Sequence, residues 1–222
     1  MTTYKVWGRA NSANVIKVIW ALLEAELNFE RIDAGLDFGV IETPKFRHKN
    51  PNGLVPVLEH GSFVIWESNS IIRYIARSAL RARGLYPADA KGASNVDQWL
   101  DWQQSRVYPL MGLLFLYLVR QKRDRSDQEV ADLLLQCEAV TKIMDEHLAR
   151  HNFIAGCMIT LADIALAPFL RRHLILVGEH QSRNDSSNIL RWMRSLSSRP
   201  TFLQAIAADA LPHPDWLLRE NS

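Results

Sequence analysis

Apolar periodicity changes once along this chain, and that change sets what it can fold into. Up to about residue 80, short β-prone runs alternate with single amphipathic helical patterns; from Ala90 onward nearly every window repeats at helical spacing. The turn-rich stretch Gly84-Leu85-Tyr86-Pro87 separates the two regimes. A chain of 222 residues is long enough for two small domains, each with its own core. The sequence therefore predicts a mixed α/β domain over 1–80, a linker over 81–89 and an all-helical domain over 90–222.

Within the first part, Tyr4 to Gly8 reads as a strand closed by a glycine. Val15, Val18, Ile19 and Leu22 then recur at helical spacing up to about Glu26, with Asn14, Lys17 and Glu24 on the polar side. Phe29 to Asp33 is a second strand candidate, and Gly35 to Gly39 with Thr43-Pro44 marks a loop into a short helical segment. Val55 to Leu58 and Phe63 to Trp66 form a hairpin pattern through His60-Gly61, and Ser68 is placed to cap a helix carrying Ile71, Ile72 and Ile75. The order strand, helix, strand, helix, strand, strand, helix fits a thioredoxin-like layout, one sheet covered by helices. In the second part, Val130, Leu133, Leu134, Cys137, Val140, Met144 and Leu148 hold one face of a helix of about six turns, implying an all-α bundle.

Composition removes several function classes. The 26 basic and 24 acidic residues leave a formal charge of +2, without the concentrated basic excess of a nucleic-acid binder. The densest charged stretch, Gln121 to Asp127, mixes signs as a solvated loop does. The longest apolar run, Leu110 to Val119, would span only about 15 Å as a helix, half a bilayer core. Met1 to Lys5 lacks the start of a secretory leader, so a cytoplasmic protein with no membrane partner is expected. Cys137 and Cys157 stand far apart with no CxxC pair, against a disulfide framework or a zinc site, and each reads as a small buried hydrophobe. The seven tryptophans, Trp99, Trp102 and Trp192 among them, read as core.

The most informative stretch is Asn50-Pro51-Asn52-Gly53-Leu54-Val55-Pro56-Val57-Leu58, followed nine residues later by Glu67-Ser68 and a helix pattern. In order and spacing it resembles the glutathione transferase family, which has a Val-Pro before its third strand and an acid-Ser pair after its fourth. The resemblance implies a cis bond before Pro56 and a Val55 backbone that pairs with the cysteinyl unit of glutathione like a short extra strand. It also implies that Ser68, at the start of a helix, receives the γ-glutamyl carboxylate while Glu67 takes the ammonium. On the residues alone, a helix-capping Ser68 and a solvated Glu67 are the competing reading.

The second chemical segment is Asn11-Ser12-Ala13-Asn14-Val15-Ile16-Lys17-Val18. Its resemblance is to serine-type bacterial members, theta- or nu-like, which set the serine five residues before a Lys/Arg/Ala-Val pair. That pattern lands on Ser12 as the hydroxyl donating to the glutathione thiolate, with Asn14 as a second contacting amide. Arg9 and Asn11 lie in the same loop and compete for the role, and Ser12 or Asn11 as a plain helix cap is the alternative. The loop holds no cysteine, which favours activation of a bound thiol over a mixed disulfide. Thr160-Leu161-Ala162-Asp163 has the form of a capping box, assigned to folding.

As a whole the resemblance implies a detoxifying transferase with glutathione as co-substrate, a small hydrophobic electrophile as second substrate and a homodimer as the working form. The electrophile is expected near Arg9 to Asn11, Tyr108 and Met111. Glutathione-dependent disulfide or peroxide reduction, and a non-catalytic binding module on the same fold, are the alternatives.

Overall fold

The computed structural model describes residues 3–120, 126–177, 187–212 and 214. They fall into two compact units, one built on Met1–Gly92 with Pro200–Pro212, the other on Ala93–Arg199.

In the first unit β1 (Tyr4–Trp7), β2 (Phe29–Ile32), β3 (Val57–His60) and β4 (Phe63–Trp66) form one sheet in the order β2-β1-β3-β4. β1 and β2 are parallel, the other pairs antiparallel. A parallel pair needs a crossover, and α1 (Ala13–Glu24) supplies it. Along β1, Tyr4 and Val6 are buried while Lys5 is exposed, the alternation a strand imposes. Trp7 points the other way and meets Phe46 of α2 (Pro44–Lys49) edge-on at 6.1 Å, in a small core with Ala34 and Val57.

α1 packs against α3 (Ser68–Ser78) and against α9 (Pro200–Ile206). Trp20 and Phe202, both fully buried, meet at 4.7 Å. The Glu24 carboxylate accepts from Trp20 Nε1 at 3.0 Å and from the Thr201 hydroxyl.

The α/β thioredoxin-like unit and the all-α unit are as the periodicity predicts, but their boundaries differ. Residues expected as linker form a 3-10 segment, Leu80–Leu85, packed on α3 with Ala82, Leu85 and Tyr86 buried. α9, expected in the helical domain, belongs to the first unit, because helical spacing reveals an apolar face but not which core it joins. The third strand begins at Val57 rather than Val55, since Pro56 has no N–H for the ladder. Glu67 and not Ser68 is the N-cap of α3, with φ 68 and ψ 113.

The second unit contains α4 (Ala90–Trp102, whose start lies in the first), a π turn over Gln103–Val107, α5 (Tyr108–Leu118), α6 (Asp127–Leu148), α7 (Leu161–Val177) and α8 (Ser187–Ser197). α6 opens on a capping box between Ser126 and Glu129 and buries Leu133, Cys137, Val140, Met144 and Leu148. Asp145 of α6 caps α8, accepting from the N–H groups of Asn188 at 3.0 Å and Ile189 at 2.9 Å. Asp163 is fully buried, and its carboxylate accepts from the N–H groups of Ile154 (2.9 Å) and Thr160 (2.8 Å), the Thr160 hydroxyl (3.1 Å) and Trp192 Nε1 (2.8 Å).

Burial pushes the Cys137 thiol up to about 11. Cys157, expected to be buried, is exposed: it follows the tight Phe153–Gly156 turn, where Ile154 is the residue turned inward. The tryptophans divide likewise: Trp20 and Trp192 are core, Trp99 and Trp102 half-buried, Trp66 exposed, and Trp216 lies outside the described residues, as does the charged stretch 121–125. Among the described residues no helix is long and apolar enough to cross a membrane.

Candidate active site

Strand register gathers the sequence-predicted residues at one end of the sheet. Trp7 is paired with Val57, and Val57 with Trp66. Gly8 follows the first, Val55-Pro56 precedes the second, and Glu67-Ser68 follows the third, so antiparallel pairing sets all three segments side by side. Gly8 marks the closeness: a Cβ there would lie 2.4 Å from Val15 Cγ2 and 3.2 Å from Val55 Cβ.

Ser12 occupies the N-cap position of α1, and its carbonyl accepts from the N–H groups of Val15 and Ile16 at 2.9 and 2.8 Å. Its hydroxyl makes no capping bond, and it has no hydrogen-bond partner among the described residues although Ser12 is 7% exposed. An N-cap serine normally satisfies an N–H of the first turn with its side chain. Here the hydroxyl and the open N–H groups of α1 stand together, a pairing suited to an anion.

Val55 is half-buried, the bond to Pro56 is cis, and neither the N–H nor the C=O of Val55 has a partner among the described residues. A backbone pair left open beside a sheet is what an added strand engages. Asn50 holds the preceding turn, donating from Nδ2 to the Leu54 carbonyl at 2.8 Å and accepting from Asn52 N–H at 3.0 Å.

Ser68 is 3% exposed and is the first residue of α3. Its hydroxyl accepts from Lys17 Nζ at 2.9 Å and donates to Asn14 Oδ1 at 3.2 Å, while Lys17 Nζ also reaches Asn14 Oδ1 at 3.4 Å. The Asn14 carbonyl oxygen is therefore committed to this cluster, while its amide nitrogen takes no part in it. Glu67 is exposed, caps nothing with its side chain, and holds its positive φ directly before Ser68. The Arg9 guanidinium lies against Gly35.

Lys17 is the residue the sequence reading misplaced. Expected on the polar face of α1, it is fully buried, and burial lowers its ammonium to about 7, with the Glu67 charge raising it and the Arg73 charge lowering it. The signal was present in the unbroken run of apolar neighbours from Val15 to Leu22: a helix apolar all round has no solvent side for a lysine.

The thioredoxin-like sheet, with an open backbone pair and two helix starts at one end, followed by a separate helical unit, defines a two-domain protein of the thioredoxin-like class. Family models place it more narrowly. Residues 2–77 match the glutathione S-transferase N-terminal domain and residues 107–200 the glutathione S-transferase C-terminal domain. Glutathione S-transferase GstB of Escherichia coli K12 is 34% identical over 204 residues, 90% of this chain and 96% of that protein. Glutathione S-transferase 3 of Zea mays is 31% identical over 96% of this chain and 98% of its own length. The crystal structure of the theta class glutathione S-transferase from Xanthomonas axonopodis pv. citri, with glutathione bound, matches with a TM-score of 0.85 at 31% identity, covering 95% of this chain and all of that one. The chain belongs to the glutathione S-transferase family.

Proposed function

We propose that the chain conjugates glutathione to small hydrophobic electrophiles by a serine-type mechanism in which Ser12 donates to the thiolate. As a member of its family it is an enzyme, a glutathione S-transferase, and glutathione is its co-substrate. The observation that carries the serine assignment is Ser12 itself, a buried residue at a helix start whose hydroxyl makes no capping bond. A free thiol with a pKa of about 8.5 is mostly protonated at neutral pH, and one charge-assisted hydrogen bond plus the partial charge of α1 favours its anion. The open Val55 backbone takes the cysteinyl unit, Ser68 and the start of α3 take the γ-glutamyl carboxylate, Glu67 takes the ammonium, and Asn14 offers its amide nitrogen as a second donor.

Detoxification in the cytoplasm and a homodimer complete the proposal. The dimer is supported by the free edge of the sheet, where Phe63, Val64 and Trp66 of β4 are all exposed. The deciding experiment is titration of the bound thiolate's absorbance in wild type and Ser12→Ala, with turnover of an aryl halide. Loss of Ser12 should raise the thiol pKa by about one to two units and lower turnover about 10²- to 10³-fold. Unchanged values would move the role to Asn14, Asn11 or Arg9.

A further inference from the structure

Lys17, Asn14 and Ser68 pose an accounting problem that the transferase chemistry leaves open. The Ser68 hydroxyl has one proton, and that proton goes to Asn14 Oδ1. A carboxylate arriving at Ser68 needs the same proton. Asn14 Oδ1 can give it up at small cost only if another donor holds that oxygen, and Lys17 Nζ is the donor in place, reaching both Ser68 Oγ and Asn14 Oδ1. We propose that Lys17 is a positioning residue that acts through Ser68: its buried side-chain nitrogen donates to both acceptors and frees the Ser68 proton for the γ-glutamyl carboxylate, and the fraction of Lys17 present as the neutral amine takes up a proton from solvent to become the ammonium as that carboxylate binds. The proposal rests on the reading of Ser68 as the carboxylate site.

The electrostatic surroundings leave Lys17 poised for this. Burial in α1 lowers its ammonium to about 7, Glu67 opposes that and Arg73 reinforces it. Of the other elements packed on α1, α9 carries no ionisable side chain. β1 brings Lys5, exposed and 3.9 Å from Glu30, and Tyr4, within reach of the Ser78 hydroxyl. The 3-10 segment brings Arg81, paired with Glu26, and the exposed Arg83. On α3, Arg77 lies over the Tyr86 ring. A carboxylate on the far side of Ser68 adds an opposite charge within a few ångströms, which raises a cation's pKa by about one to three units. Binding and protonation therefore reinforce one another.

The probe is S-methylglutathione, whose sulfur carries no proton to confuse the count. Calorimetric titration of the wild-type protein at pH 7.5, in two buffers of different ionisation enthalpy, should show net uptake of about half a proton or more, and affinity should fall about tenfold between pH 7 and 8.5. Lys17→Met should weaken binding about tenfold at pH 6.5 and abolish both the uptake and the pH dependence. Lys17→Arg, with its charge fixed, should abolish the uptake alone. The wild-type measurement needs no variant to fold. Absent proton uptake in wild type, or uptake that persists in Lys17→Met, overturns the proposal. Ser68→Ala separates the two layers: if it weakens binding while Lys17→Met does not, the role of Lys17 fails alone; if neither change matters, the carboxylate reading of Ser68 fails with it.

Discussion

Glu67 holds φ 68 and ψ 113, a backbone combination that side-chain-bearing residues rarely adopt and that costs on the order of 1–3 kcal/mol. The conformation turns β4 abruptly into α3, with Glu67 left exposed and the Ser68 hydroxyl turned in toward Lys17 and Asn14. Glu67→Gly relieves the backbone but removes the carboxylate and loosens the unfolded chain by up to about 1 kcal/mol. The expected result is a melting temperature equal to or above wild type, with glutathione affinity lower by about ten- to a hundredfold; thermal denaturation and calorimetry read the two separately. At this scale the sequence was informative wherever a residue's role follows from its neighbours in the chain. Ser12, Val55, Glu67 and Ser68 were picked out by a resemblance to the family's pattern, and register brings their segments together. The apolar neighbours of Lys17 signalled its burial, but not its bond to Ser68, which becomes a neighbour only when α1 and α3 pack.

Among the elements, the turn from β1 into α1 has the least room. A Cβ on Gly8 would sit 2.4 Å from Val15 Cγ2 and 3.2 Å from Val55 Cβ, pushing on the start of α1 and on the open backbone pair together. Gly8→Ala should lose about 1–3 kcal/mol of stability from overpacking and weaken glutathione binding as well. Gly39, with φ 58 and nothing within 4 Å of an added Cβ, is the control: Gly39→Ala should cost some stability and leave binding unchanged. The fold of these elements was legible from periodicity; their ends were not. Pro56 delays β3, and Glu67 rather than Ser68 opens α3, because ladder bonds and caps depend on backbone angles that side-chain patterns do not report.

For the whole molecule, acid is the weak side. His173 of α7 is 2% exposed, both ring nitrogens lack a partner among the described residues, and burial pushes it down to about 4 from 6.5. Because the folded value is the lower one, the unfolded chain takes up this proton first. Stability is intact above pH 6.5 and falls as pH drops toward 4, by about 3 kcal/mol in all. His173→Phe should flatten that limb of a stability profile measured by urea unfolding between pH 7 and 4, and an unchanged slope would place acid sensitivity elsewhere. The orphaned nitrogens gave no warning in the sequence, where a histidine in an apolar helix reads as an ordinary interior residue.

The return of α9 to α1 bears on how the protein is made. The wall of Trp20 and Glu24 is completed only by Thr201 and Phe202, at the other end of the chain. A ribosome adding about 5–20 residues per second reaches them on the order of ten seconds after Gly92. During that interval the nascent first unit has its sheet, α1, α2, α3 and every proposed glutathione-binding residue, yet one apolar side of α1 stays bare. α9 thus acts as a late closing clasp, and a prematurely terminated chain would carry a complete set of ligand groups on a domain with an open seam.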